Sequence, residues 1–369
     1  DLTLFLNGST QPPVLTDLSK SHANPGADLL VQRGVAHHQN GDLDTAKLHY
    51  ERALVIEETH VDALQLLGLV EAAKGSFLKA FLLYTRAHAL TDLNAPALVM
   101  YGVTMINLGR YEQAIGIITE GLQKDPSNLD GYKNRATALE RLGLLNQAAC
   151  DLETAFSISP DDVDTRSRQG AISRELHQPQ AAISYYEEVI LINPQSAEAH
   201  NNMGTCYADL GLNDRALECF NNALSINSNH QASKRNKALA LLSQGQFLEG
   251  WKLFESRLHI KDGGWAYPSF KQPLWRGDLE IKSKRLLIYH EQGYGDFIQF
   301  CRFIPALSKY GAEVVLAVPP ELVAFAEDCA WDVSVVTEGC EVSIDAHCPI
   351  MSLPYVLQTT PEKVSGARY

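Results

Sequence analysis

A period of 34 residues, kept without insertion from Ala27 onward, constrains this chain more than any other feature. Copies begin at Ala27, Val61, Ala95, Leu129, Val163, Ala197 and Gln231. Self-similarity at such a period marks stacked supersecondary units, each unable to bury its apolar face alone. The eighth position of each copy reads Gly34, Gly68, Gly102, Ala136, Gly170, Gly204 and Ala238. The twentieth reads Ala46, Ala80, Ala114, Ala148, Ala182, Ala216 and Gly250. Small side chains in both columns let two helices approach closely where they cross. The twenty-fourth position is large: Tyr50, Tyr84, Ile118, Leu152, Tyr186, Phe220 and Phe254. The twenty-seventh is small except at Val189 and Arg257. Pro126, Pro160 and Pro194 are expected to end second helices, because proline cannot donate to the helical ladder and disfavours helix before it. Glycines at 41, 75, 109, 143, 211 and 245 mark the turn inside each copy, and His177-Gln178-Pro179 replaces that glycine in the fifth.

Length, column identities and turn placement together resemble the tetratricopeptide repeat. That resemblance implies an all-α, right-handed superhelix of seven repeats over residues 27–264, with a concave groove lined by the first helix of each pair. It implies a protein or an extended peptide as the partner. The groove columns divide the array. The first three copies are apolar there, at Val31, Val35, Leu66, Leu69, Val99, Met100, Val103 and Ile106. The last four are polar, at Lys133, Asn134, Arg141, Ser167, Arg168, Arg174, Asn201, Asn202, Arg235 and Asn236. Asn134, Asn202 and Asn236 share the sixth position, as in the repeats of O-linked N-acetylglucosamine transferase, and Arg168 interrupts the series. An amide both donates and accepts, so such a ladder can grip a peptide backbone whatever its sequence. The alternative is three solvated asparagines on a polar face. The apolar half calls for an occupant. Candidates are a foreign segment, a second copy in a homodimer, or the chain's own start, where Leu2, Leu4, Phe5 and Leu6 precede a Pro/Gly/Asn-rich tether within an N-terminal segment, residues 1–26.

After Gly264 the period stops. Residues 265–283, with Trp265, Pro268, Pro273 and Trp275, read as an ordered linker packed on both neighbours. Residues 284–369 alternate strand and helix. Strands are expected at Arg285–Tyr289, Glu313–Val318, Val333–Val336 and Ile344–His347. Helices are expected at Asp296–Tyr310, kinked by Pro305, at Pro320–Asp328 and from about Met351. This order predicts a small α/β, Rossmann-like half-domain with parallel strands. Gly293 and Gly295 do not form the dinucleotide fingerprint, because G-x-x-G does not follow. The stretch from His290 to Leu307, with His347–Pro354, instead resembles the N-terminal lobe of two-lobed, heptosyltransferase-like bacterial glycosyltransferases. The resemblance makes Asp296 the base that deprotonates an acceptor hydroxyl. Asp296 also suits a helix N-cap, with Gln299 at capping-box spacing. His290, Glu291, Gly293 and Gly295 form a candidate loop site at the strand's carboxyl end, with plain loop residues as the alternative.

A net charge of −13 with no dense basic stripe argues against nucleic acid. No apolar run reaches membrane-spanning length. Seven cysteines without a C-x-x-C pair suggest neither a zinc site nor a redox motif, and fit free thiols in a reducing cytoplasm. The expected function is a repeat scaffold presenting an acceptor protein to a glycosyltransferase domain. The nucleotide-sugar donor would bind in a second lobe beyond Tyr369, so this chain alone needs no cofactor and should not catalyse. The alternative is a non-catalytic adaptor with a structural α/β cap.

Overall fold

A computed structural model of the chain describes residues 24–259 and 267–360. The first unit of the chain ends at Ile192 and the second begins at Asn193. The first carries α1 (Pro25–Gln39), α2 (Leu43–Ile56), α3 (Val61–Ala73), α4 (Phe77–Leu90) and α5 (Ala95–Asn107). It continues through α6 (Tyr111–Lys124), α7 (Leu129–Arg141), α8 (Leu145–Ile158), α9 (Val163–Glu175) and α10 (Pro179–Ile192). The second opens with α11 (Ala197–Asp209), α12 (Asn213–Ile226), α13 (Gln231–Ser243) and α14 (Phe247–Phe254). From α3 on, every first helix starts on the 34-residue grid. The α1 helix starts two residues early, since Asn24 caps it through the Gly26 amide and Pro25 sits at the first helical position. The apolar residues Leu2 to Leu6, their tether as far as Ala23, and Trp265 lie outside the described residues.

The column reading has a direct steric basis. A Cβ added to Gly34 would lie 2.4 Å from the Tyr50 ring, and one on Gly170 would lie 2.7 Å from Tyr186 Cζ. Between the helices of a pair, Gly41, Gly75, Gly109, Gly143, Gly211 and Gly245 take φ between 72° and 79°, where a side chain is strained. His177 fills the same place at φ 58°. Proline does not set where second helices end. The helices α2, α4 and α12 stop at the same grid position as α6, α8 and α10 without it, so the turn geometry shared by all copies is what ends them.

In the second unit the last helix pair runs into a 3₁₀ segment, Glu255–His259. Four strands follow, β1 (Arg285–Tyr289), β2 (Glu313–Val318), β3 (Ser334–Thr337) and β4 (Ala346–Pro349). They form a small parallel sheet in the order β3-β2-β1-β4. The third and fourth strands lie one and two residues later than the sequence pattern placed them. The first crossover is α15 (Tyr294–Phe300) and then 3₁₀ structure over Cys301–Tyr310. It is not one kinked α-helix from Asp296, because Pro305 has no N–H to give an i→i−4 bond. The second crossover contains α16 (Val323–Asp328), and α17 (Leu353–Val356) follows β4. One sheet face, with Leu286, Ile288, Val314 and Leu316, packs on Phe297, Phe300, Ile304 and Leu307 in the main core. The other face, with Leu287, Tyr289, Val315 and Ala317, meets Phe270, Val342 and Ile344.

Pro273 to Trp275, within the stretch expected to be a linker, pair with the last strand of this sheet. Trp275 is fully buried in the main core, its backbone N–H donates to the His347 carbonyl at 2.7 Å, and the His347 backbone N–H donates to Pro273 O at 3.1 Å. A proline-rich segment can serve as a sheet edge where few ladder bonds are asked of it.

Candidate functional site

Within the first unit, α7 and α9 carry most of the polar groove residues. The Lys133 ammonium lies 2.9 Å from Asp162 and 3.0 Å from Asp164. Burial alone would lower its pKa, but those two carboxylates hold it above the ordinary lysine value. Arg168 donates to Glu140 at 2.7 Å, to Thr137 at 2.9 Å and to the Lys133 carbonyl at 3.2 Å. Both cations therefore stitch one first helix to the next. Asn134 turns its amide back to Asp130 O in its own helix, at 2.8 Å. Arg174 lies on the exposed surface of α9.

Two arginines that groove columns do not single out are as firmly held. Arg135 makes a two-pronged contact with Asp151, at 2.8 and 2.7 Å. Arg166 pairs with Glu188 and lies over the Phe156 and Tyr185 rings at 3.8 and 4.8 Å. The 16-residue separation of Arg135 and Asp151 recurs for Gln169 and Glu153. Arg135 and Asp151 join the two helices of one copy, whereas Gln169 and Glu153 join a first helix to the second helix of the copy before it.

The apolar columns of the first three copies feed the core. Val103 is buried with Val31, Leu66 and Val99. Val35 packs against the cluster of Tyr50 and Leu66, and Ile106 against Val99, Ile118 and Leu122. Leu69 is half-buried on α3.

The second unit holds a compact amide network on α11 and α13. Asn201, 4% exposed, is its hub. Its Oδ1 accepts from Ser233 Oγ at 3.1 Å and from Asn236 Nδ2 at 3.0 Å. Its Nδ2 donates to Asn202 Oδ1 at 3.1 Å. Asn236 Nδ2 also reaches Thr205 Oγ1 at 3.3 Å. Both half-buried amides are thus held from one side, and Asn202 Nδ2 and Asn236 Oδ1 take no part in the network.

At the carboxyl end of β1 the four candidate loop residues and Asp296 have separate fates. Glu291 is fully buried and receives the Arg257 guanidinium at 3.1 and 2.7 Å. It also accepts from Tyr267 O–H at 3.0 Å and from the Met351 amide at 2.9 Å. Burial opposes the Arg257 charge, but Glu291 and Glu255 hold its pKa above the ordinary arginine value. Glu291 therefore joins the end of the helical array to the sheet. His290 is buried beside the Tyr294 and Phe297 rings, with Nδ1 4.0 Å from Glu338. Gly293 and Gly295 are exposed. Gly293, not Asp296, is the N-cap of α15, and Asp296 stands three residues in. Its carboxylate accepts the Gly293 amide at 3.2 Å, so Asp296 closes the turn from inside the helix, half-buried. Gln299 lies a turn further along, so the capping-box partner is Gly293 upstream.

Two tetratricopeptide-repeat models match this chain, over residues 27–60 and 197–230. No curated protein matches it. A tetratricopeptide repeat protein from Parabacteroides merdae superposes with a TM-score of 0.52 at 16% identity, covering 65% of this chain and 95% of its own. PilF of Pseudomonas aeruginosa gives a TM-score of 0.49 at 19% identity, over 58% of this chain and 97% of its own. YrrB, described as a TPR protein with an unusual peptide-binding site, gives 0.44 at 17%, over 47% and 89%. The chain contains tetratricopeptide repeats and is mostly helical, with a small parallel sheet near the end of the described residues. Among the described residues no helix is long and apolar enough to cross a membrane.

Proposed function

We propose that the chain is a protein-binding scaffold in which all seven 34-residue copies act as tetratricopeptide repeats and hold an extended partner segment. The observation that carries this reading is the amide network. Asn201 fixes Asn202 and Asn236 so that one side-chain donor and one acceptor face outward from neighbouring first helices, which are the complements of a peptide carbonyl and N–H. Holding them in place beforehand removes part of the ordering cost of binding. Each amide-to-backbone bond should contribute about 1 kcal/mol. A peptide selected from a random library against the wild-type chain supplies the probe. Calorimetry should show Asn202→Ala/Asn236→Ala weakening it by about thirtyfold. Unchanged affinity, with an unchanged melting temperature, would reduce these residues to solvated surface.

The finer reading is that the scaffold presents an acceptor protein to a sugar-transfer site, with residues 284–369 as the Rossmann-like first lobe and a nucleotide-sugar bound in a second. Its support is the parallel sheet and the half-buried Asp296 at the turn after β1, where such sheets place ligands. Under this reading the protein works in the bacterial cytoplasm, and a second copy can pair through the first three repeats. In a protein carrying both lobes, Asp296→Asn should cut transfer by about 10²–10⁴ if the carboxylate is the base. Wild-type rates with a lower melting temperature would leave Asp296 as the clasp of its turn and favour the adaptor reading.

A further inference from the structure

The parallel sheet is covered very differently on its two faces. Consecutive parallel strands are joined by right-handed crossovers. The order β3-β2-β1-β4 reverses direction after β3, so the β3-to-β4 connection must pass over the face opposite α15 and α16. It does so as an irregular loop over residues 338–345, opened by Gly339 at φ 87°. Parallel sheets normally carry helices on both faces. Here the loop and the segment around Phe270 form a roof that touches the strands through Phe270, Val342 and Ile344. Beneath it lies a cavity of about 750 Å³, within the range of small-molecule sites, about 300–1,000 Å³.

The walls of the cavity are apolar and partly aromatic: Phe270, Leu287, Tyr289, Ala317, Val342 and Ile344. Its charged groups are Glu338 and Glu341, both exposed on the roof. No lysine, arginine or histidine lines it among the described residues, and Glu338 lies 4.0 Å from Nδ1 of His290. An anionic ligand would meet two carboxylates and no counter-charge. A cation would be attracted by both carboxylates and by the faces of Phe270 and Tyr289.

We propose that this cavity binds a small organic cation, an aromatic or aliphatic body carrying an ammonium group, with the body against the sheet and the charge toward Glu338 and Glu341. The site is independent of the peptide groove and takes neither phosphate nor carboxylate ligands.

Three indoles of similar size separate the components: tryptamine, neutral 3-methylindole and anionic indole-3-acetate. They would be titrated into the whole chain by calorimetry, with methyl NMR on Ile344 and Val342 as the locator. Tryptamine should bind and shift both methyls, and indole-3-acetate should bind at least tenfold more weakly. Replacing both exposed carboxylates, Glu338→Gln/Glu341→Gln, should lower tryptamine affinity by about tenfold and leave 3-methylindole unchanged, since two partly exposed ion pairs are worth about that much. Val342→Trp, a change in the loop rather than the sheet, should fill the space and abolish binding of all three. The proposal is overturned if none of the three binds, if the acid binds as tightly as the amine, or if the shifts map away from the roof.

Discussion

At the scale of single residues, the eighth and twenty-fourth columns work as a matched pair. Glycine faces tyrosine in the fifth copy, whereas Ala136 faces Leu152 in the fourth, both fully buried in one cluster. Gly170→Ala should therefore cost about 1–3 kcal/mol, because its methyl would press on the Tyr186 ring and interiors are close-packed. Tyr186→Leu alone leaves a cavity and should also destabilise. The double change recreates the Ala136–Leu152 pair, so its cost should fall below the sum of the two by about 1 kcal/mol. Urea denaturation of the four proteins checks this, and strict additivity would mean the columns are not coupled. This pairing was legible in the sequence because steric columns repeat and the chain supplies its own comparison. The role of Asp296 was only half legible. Its residue type and spacing suggested a helix cap, but which backbone amide it takes depends on where α15 begins, and the glycine turn moved that start to Tyr294.

At the scale of elements, the sequence pattern placed every helix and strand near its observed position but not the joints between them. Arg257 occupies a column that is small in five other copies, and that exception marked the joint. Among the described residues no further copy packs on α14, and Arg257 reaches Glu291 instead. Lys133 and Arg168, drawn from the polar groove columns, find partners on adjacent helices that linear spacing does not display. A buried ion pair gains less from its presence than it loses when one partner is removed. Glu291→Met should cost about 3–5 kcal/mol, leaving the guanidinium buried beside Glu255 alone. Arg257→Met/Glu291→Met should recover much of that loss, though Tyr267 and the Met351 amide would still lack their acceptor. Chemical denaturation followed by Trp fluorescence would report it. A double variant as unstable as Glu291→Met would show that the carboxylate matters for Tyr267 and Met351, not for the arginine.

At the scale of the whole molecule, acid should act on both units through buried histidines. His38 in the first and His347 in the second each have a pKa pushed below the ordinary 6.5, in both cases chiefly by burial. The imidazole of His347 lies 4.4 Å from the Phe270 ring, and that of His38 is 3.4 Å from the Tyr50 hydroxyl. Both therefore fold as neutral rings. In the unfolded chain they would take up protons near 6.5, so between that value and the lower folded pKa the unfolded state binds more protons. Stability then rises with pH across that window. The contribution is complete above 6.5 and is lost as pH falls through the folded value. Midpoints of urea denaturation should thus decline from pH 7.5 to 5.5. In His347→Gln, which keeps an amide donor but cannot be protonated, the decline should be shallower than in wild type. The adjoining His38→Gln measurement should show its own reduction in slope, because the two histidines lie in different units. Slopes in both variants equal to wild type would mean that these rings become protonated in place without cost, and that acid sensitivity resides in the paired carboxylates instead.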